Sequence, residues 1–330
     1  MKILEQRPRD VKLAAARGGF DTSLLTTRGI MGVFKDALEN AWDQSWASRI
    51  GLLIPADAES ITHRWLGQTP GVREWVGGLL LQGMDVNSLT IVNHDYETSL
   101  EVSLHDLRRD KTAQLTMRIA ELASRFVNHW EELLIASLVA NPTCYDGQSF
   151  FSTSHSSGDS GTLSNLLTNA TLPALDVATA ARPTREEASA IMVQAAVKFF
   201  SYKDDKGKKA NQGARQFLIL TNPEIAAPFK QASVADRFVT GGTPNQKNLG
   251  WEFEVVPEPL ITSTDVAYVF RTDAPASRPY ILQTEVDPEI KVIGPDSEHA
   301  IKNNAVVFSG RATRGIGPGE WRQALKLTLS

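Results

Sequence analysis

The sequence predicts an α+β fold, and three observations predict it. A helical stripe of apolar residues runs from about Thr112 to Val139, and strict period-two alternation covers Tyr96 to His105. The second half then mixes single helices with short β-branched or aromatic runs. With 330 residues, 42% of them hydrophobic, the chain can bury about three quarters of its extended surface without covalent staples.

The first twenty residues carry Lys2, Arg7, Arg9, Lys12 and Arg17 against Glu5 and Asp10, with Ala14 to Ala16 and Gly18-Gly19. They read as an arm: either a solvated terminus or a segment that orders against a neighbouring copy or against phosphate. From Gly29 to Ile50, Ile30, Val33, Phe34, Leu38, Ala41 and Trp42 recur at helical steps, and Pro55 lies beyond the end. Thr69-Pro70-Gly71 marks a turn, while Gly77-Gly78 and Gly83 punctuate the following run. Val86 to Val92 is β-branched enough to pair with Tyr96–His105 across Asn93-His94-Asp95, which predicts a long hairpin with one polar face.

The strongest helix follows. Leu115, Ile119, Leu122, Phe126, Trp130, Leu133 and Leu138 share one face, Asp110 suits its start, and Asn141-Pro142 ends it. At about 1.5 Å per residue it runs about 40 Å. From about Asp146 to Thr171 the chain is a loop rich in Ser, Thr, Gly and Asn. Thr184 with Glu187 forms a capping box for a helix reaching about Phe200, and Lys203 to Lys209 is a charged surface loop. Phe217 to Leu220 reads as a buried strand, followed by a short helix through Ile225 and Phe229. Trp251 to Val255, Val266 to Phe270, Tyr280 to Leu282, Ile290 to Ile293 and Ala305 to Ser309 read as further strands. No internal repeat is present.

Charge and chemistry narrow the function. Thirty-four basic and 38 acidic residues give a net charge of −4, which is not the composition of a nucleic-acid-binding chain. Cys144 is the single cysteine, so neither an internal disulfide nor a cysteine-rich zinc site can form. No apolar run approaches the roughly 20 residues of a membrane span, and the start lacks the apolar core of a signal peptide. Gly158-Asp159-Ser160-Gly161 matches the nucleophile string of chymotrypsin-like proteases, and His63, His94, His105, His129 and His155 all precede it. Its Ser/Gly-rich setting beyond a long helix is not that of a two-barrel protease. The histidines lack zinc spacing, Asp204-Asp205 lacks calcium-loop spacing, and no phosphate-binding glycine motif occurs. Gly315-x-Gly317-x-Gly319 reads as a terminal turn. The expectation is therefore a non-enzyme with no catalytic residues, cofactor-binding residues or metal ligands. Trp65, Trp75 and Trp321, beside Gly and Pro turns, suit interface anchors, with core packing as the plainer reading of each.

Three blocks in order resemble one family. They are Trp65-Leu66-Gly67-Gln68-Thr69-Pro70-Gly71-Val72-Arg73-Glu74-Trp75, then Tyr145-Asp146-Gly147-Gln148-Ser149-Phe150-Phe151 with His155, Gly161-Thr162 and Ser164-Asn165, then Val255-Val256-Pro257-Glu258-Pro259 with Phe270-Arg271-Thr272-Asp273 and Ile281-Leu282-Gln283. Ser297-Glu298, Gly315, Gly317 and Trp321 complete the set. Together they resemble the major head subunit of Mu-like phages and prophages, the gpT family.

That resemblance implies the HK-type (Johnson) capsid fold of tailed phages, and an icosahedral shell built from hexamers and pentamers of identical chains. It implies an N-terminal arm and first helix over 1–60, and an extended-loop (E-loop) hairpin, around Val86 to His105, with a flanking strand of the peripheral (P) domain over 61–110. The P-domain spine helix and following loop then occupy 111–170, an axial (A) domain 171–283, and returning P-domain strands 284–330. The implied partners are further copies of the chain, a separately encoded scaffold and protease, a portal and decoration proteins, with packaged DNA touched only weakly from inside and no membrane. The implied location is the virion shell, assembled in the host cytoplasm. The competing readings are a serine hydrolase using Gly158 to Gly161 and an unrelated oligomeric binding protein.

Overall fold

The computed structural model describes residues 27–66, 86–105, 114–234, 250–294 and 296–330. The arm, Asp110, the Thr69-Pro70-Gly71 turn and Trp75 lie outside the described residues.

The first predicted helix is two helices, α1 (Thr27–Gln44) and α2 (Ala47–Ile50). Ser45 causes the break: its hydroxyl accepts from the Ala47 amide at 3.1 Å and donates to Glu131 at 2.6 Å, restarting the chain in a new turn. α2 runs straight into β1 (Gly51–Pro55), an edge strand that the helical reading of this region hid.

The predicted hairpin is paired differently. β2 (Ser60–Leu66) and β3 (Val86–Val92) form a two-stranded antiparallel ribbon with Ile61 opposite Ile91 and Thr62 opposite Thr90. β4 (His94–Ser103) begins one residue after β3 but pairs along its whole length with β10 (Ala305–Pro318). The pairing of Val86–Val92 with Tyr96–His105 is thus corrected. A single residue, Asn93, cannot reverse a chain, since the tightest common hairpins need two. Its side chain instead donates to Ala58 O and accepts from Gln283 Nε2, both at 2.8 Å, so the backbone kinks and continues. The alternating burial predicted for β4 is present, with Glu97, Ser99 and Glu101 exposed between half-buried neighbours.

The long helix, α3 (Gln114–Ala140, 27 residues), buries the predicted stripe except for Leu133, which is half-buried, together with Leu134 and Ile135. It ends at Asn141, whose φ of 49° is left-handed and whose amide both donates to Phe151 O (3.0 Å) and accepts from Phe151 N (2.7 Å). That pair serves the backbone where Pro142 cannot continue the helix.

β9 (Tyr280–Ile293) and β10 are single 14-residue strands where shorter runs were predicted. The β9–β10 register shifts around Thr313, opposite Val286 to Glu289, so the Asp287-Pro288 interruption is a bulge rather than a break. Gly315 and Gly317 lie inside β10, not in a terminal turn. A side chain at Gly317 would meet Ile91 at 2.5 Å, so the glycines let the ribbon cross the sheet closely.

Two sheets result: β1-β9-β10-β4, and β5-β11-β8-β6-β7 built from β5 (Leu166–Leu167), β6 (Gln216–Thr221), β7 (Glu252–Pro257), β8 (Val266–Arg271) and β11 (Ala324–Thr328). Helix α4 (Arg185–Ser201) carries the predicted Thr184–Glu187 box, with the Glu187 amide donating to Thr184 Oγ1 at 3.2 Å. With α5 (Pro223–Val234) and the second half of α3 it packs on the five-stranded sheet in the larger core. A smaller core joins α1 and the first half of α3 to the four-stranded sheet through Phe34, Phe126, Ile290 and Phe308. Helix α6 (Glu298–Asn303) connects β9 to β10. No described helix is long and apolar enough to cross a membrane.

Candidate assembly surfaces and the buried polar cluster

The Ser/Gly-rich loop is largely exposed but sends Phe151, His155, Ser160 and Asn165 into the core. Gly158 to Ser160 form one 3₁₀ turn in which Ser160 Oγ accepts from Ser157 N at 3.0 Å and donates to Gly161 O at 2.9 Å. Gly158 is required by its φ of 51° and by Asp205 O, which lies 2.3 Å from where a Cβ would stand. His155 is fully buried; its Nδ1 is 2.6 Å from Asp146 Oδ2 and its Nε2 3.2 Å from Phe150 O. A hydrolytic triad places histidine between serine and carboxylate. Here it stands between a carboxylate and a backbone carbonyl, so no ring nitrogen is left for Ser160. The serine-hydrolase reading falls on that geometry.

Trp321 is not a surface anchor. It is completely buried, stacked on His155 and flanked by Arg322, whose guanidinium carbon lies 4.4 Å from its ring centroid. Arg322 Nη1 reaches Glu320 Oε1 at 2.9 Å and Tyr145 OH at 3.0 Å. Burial opposes the charge of Arg322, yet Glu320 and Tyr145 hold its guanidinium above the ordinary range. Burial and the Glu320 charge push the Tyr145 hydroxyl well up, and burial, with Asp146 and Glu320 behind it, raises the Cys144 thiol, leaving it inert. The residues that the sequence grouped as Tyr145 to Asn165 and Trp321 therefore meet as one buried polar cluster tying the C-terminus to the loop after α3.

The other predicted positions are dispersed. Trp65 lies on β2 opposite Asn87, with its side chain outside the described residues. His63, also on β2, bonds Gln283 at 2.9 Å, and His299 bonds Glu101 at 3.1 Å. His129 stacks edge-on against Tyr96 at 4.2 Å. Asp204 accepts from the amides of Lys206 and Lys208, a turn-forming role. Among the described residues no group of three His, Cys, Asp or Glu side chains converges to hold a metal.

The β2–β3 ribbon is a sheet of its own, outside the two larger sheets. It is rooted on β9 by Gln283, a completely buried residue that joins His63 to Asn93. Sequence reasoning missed this hub, because one glutamine inside a β-strand has no local signal. A second feature is an apolar groove of about 460 Å³ between α1, α3 and β9.

Residues 25–185 match the family model for the Mu-like prophage major head subunit gpT. The major head subunit of the Mu-like prophage FluMu of Haemophilus influenzae is 33% identical over 127 residues, 38% of this chain and 41% of that protein. The alignment thus spans about two fifths of the curated relative. Among solved structures, the procapsid of bacteriophage JBD30 superposes with a TM-score of 0.50 at 18% identity, covering 92% of this chain and 76% of that one. The capsid of cyanophage P-SCSP1u gives 0.52 at 13% identity over 85% and 86%. The fold is that of tailed-phage capsid proteins, as the sequence resemblance implied.

Proposed function

We propose that this chain, related through residues 25–185 to the Mu-like prophage major head subunit, is a major capsid protein that assembles with copies of itself into the closed shell of a phage head. The observation that carries the proposal is that the family match and the capsid fold coincide, the fold extending over 92% of the chain where the family match stops at residue 185.

The mechanism is physical rather than catalytic. Two packed cores make a rigid body, while the ribbon rooted at Gln283 and the basic segment before α1 supply extended contacts between neighbours. Permanent assemblies bury upwards of about 2,000 Å² per interface, which offsets the translational and rotational freedom lost by each subunit. Contacts between unlike surfaces of identical chains close into rings when the rotation permits, giving hexamers and pentamers. The domain limits implied by the resemblance, from the arm over 1–60 to the returning strands over 284–330, belong to this proposal. So do a scaffold and protease, a portal and decoration proteins as partners, weak contact with packaged DNA, and assembly in the host cytoplasm.

Electron microscopy of the purified, expressed chain with its head-assembly partners tests the reading. Closed hollow particles are expected; discrete small oligomers or monomers under every assembly condition would refute it. Deleting Met1 to Arg17 should abolish particles while the subunit keeps its unfolding midpoint.

A further inference from the structure

The root of the β2–β3 ribbon is a one-way polar relay through Gln283 of β9, which is completely buried. Gln283 Oε1 accepts from His63 Nε2 of β2 at 2.9 Å. Its Nε2 donates to Asn93 Oδ1, in the one-residue link between β3 and β4, at 2.8 Å. Asn93 Nδ2 in turn donates to Ala58 O, in the link between β1 and β2, at 2.8 Å. A backbone carbonyl only accepts, so Ala58 fixes which way the Asn93 amide faces, and Asn93 fixes the Gln283 amide. His63 must then supply the proton at Nε2. Both covalent links of the ribbon, and one of its strands, thus lead to a single side chain.

The packing beside the relay is apolar. Gly315 pairs with Gln283 across the β9–β10 ladder, and a Cβ there would stand 2.6 Å from Val92 O. Ile91 fills the space over Gly317. These contacts set how closely the ribbon approaches the sheet. They do not set its direction, because apolar burial is non-directional whereas a hydrogen bond weakens steeply off its axis. No ladder joins the ribbon to either larger sheet. Direction is left to the relay.

We propose that Gln283 is a positioning residue for assembly: its amide fixes the angle at which the ribbon leaves the body, and through that angle the curvature of the shell. The proposal rests on the capsid reading above and names the group that sets geometry between copies. β2 has seven residues. At the strand rise it is about 20 Å long, so a turn of about 5° at its root moves its far end by about 2 Å. A misfit of that size is felt in any close-packed contact. A ring of identical chains closes only when every copy adds the same rotation, and a loose root would add unequal ones.

Two measurements test this. The first uses the unassembled full-length chain and stands apart from the capsid reading. Spin labels on R64C/S99C, both exposed positions, report the distance from the ribbon to β4, and Cys144 is buried. One narrow distance distribution is expected. H63L should about double its width, since leucine donates nothing to Gln283, and H63Q, whose amide donates, should restore it. A broad distribution in the labelled parent chain, or an unchanged width in H63L, would overturn the proposal.

The second measurement is the diameter of assembled particles in electron micrographs. Q283M and H63L should about double the spread of diameters or leave open, irregular shells, while H63Q keeps the wild-type spread. S160A weakens the subunit outside the relay, its hydroxyl serving only Ser157 and Gly161, and should also keep that spread. Uniform particles from both Q283M and H63L, or an equal broadening in S160A, overturn the assignment. Absence of particles from the unmutated chain would instead defeat the capsid reading, and the spin-label result would still judge the relay.

Discussion

His155 lies flat against Trp321, ring centroids 4.1 Å apart and planes 5° from parallel, while its Nδ1 sits 2.6 Å from Asp146 Oδ2. All three side chains are almost wholly buried. The pairing joins the loop after the long helix to the 3₁₀ turn that leads into the last strand, two segments more than 150 residues apart in sequence. Removing the imidazole leaves a buried carboxylate without its partner and a void against the indole. H155A should therefore cost about 3–5 kcal/mol in the denaturant-induced unfolding of the subunit, the usual cost of breaking a buried pair. A loss below about 1 kcal/mol would show that the cluster is dispensable.

Ser160 is a capping residue. S160A removes both hydroxyl hydrogen bonds of the turn, the one accepted from Ser157 N and the one donated to Gly161 O, and should cost about 0.5–2 kcal/mol. A serine-reactive phosphonate should leave the wild-type chain unlabelled, and mass-spectrometric detection of an adduct at Ser160 would reopen hydrolysis.

The glycines of β10 differ in what they face. A methyl at Gly315 would meet Val92 O at 2.6 Å and Asn93 Oδ1 at 2.9 Å; at Gly317 it meets the movable end of Ile91. G315A should destabilise by about 1–3 kcal/mol and G317A by less, since backbone cannot yield as a side chain can. Thermal midpoints of the two variants check the order.

His129 gives a pH dependence. Burial, with the Arg314 cation adding to it, depresses its imidazole from 6.5 to about 4. The unfolded chain thus binds a proton that the folded chain refuses across that interval. This contribution is complete above about pH 6.5 and is lost as pH falls toward 4. Unfolding midpoints recorded from pH 7 to 4 should fall, and H129Q should fall less steeply; parallel slopes would assign the acid sensitivity elsewhere.

Arg314 itself is almost fully buried, bonded through Nη1 to Phe126 O at 2.8 Å and seated over the Trp130 ring at 4.5 Å. Its Nε and Nη2 have no hydrogen-bond partner. Burial lowers its pKa to about 10. R314M keeps the volume and removes a costly charge, so it should be neutral or stabilising, whereas R314A should cost about 2–5 kcal/mol through the cavity it leaves. Equal losses in calorimetry would argue that the charge itself holds α3 to β10.

Local chemistry was legible wherever a residue's effect acts within one turn or one strand. The apolar stripe of α3, the Asn141-Pro142 stop, the Thr184–Glu187 box and the alternation of β4 were all readable, because 3.6 and 2 are local periods. The head-subunit resemblance was readable too, since it rests on ordered blocks such as Tyr145 to Phe151. Strand partnership was not. Nothing in Val86 to Val92 says that its partner is Ser60–Leu66 rather than the adjoining strand, and that choice follows from the bonds Asn93 makes to Ala58 and Gln283. The same limit hid the long β10, where Gly315 and Gly317 read with Gly319 as a turn, although Ile91 packs where the side chains of the first two would stand.

By itself, then, the sequence determined the α+β class, the long helix, the absence of disulfide chemistry and the head-subunit likeness. Only the tertiary structure decided that His155, Ser160 and Asn165 of the Ser/Gly-rich loop enter a buried polar cluster, that the ribbon is tied to β9 through Gln283, and that an acid-rimmed groove lies beside α1. The reason is that burial and pairing are relations between residues far apart along the chain, fixed by which surfaces meet when the two cores close, and no local period records them.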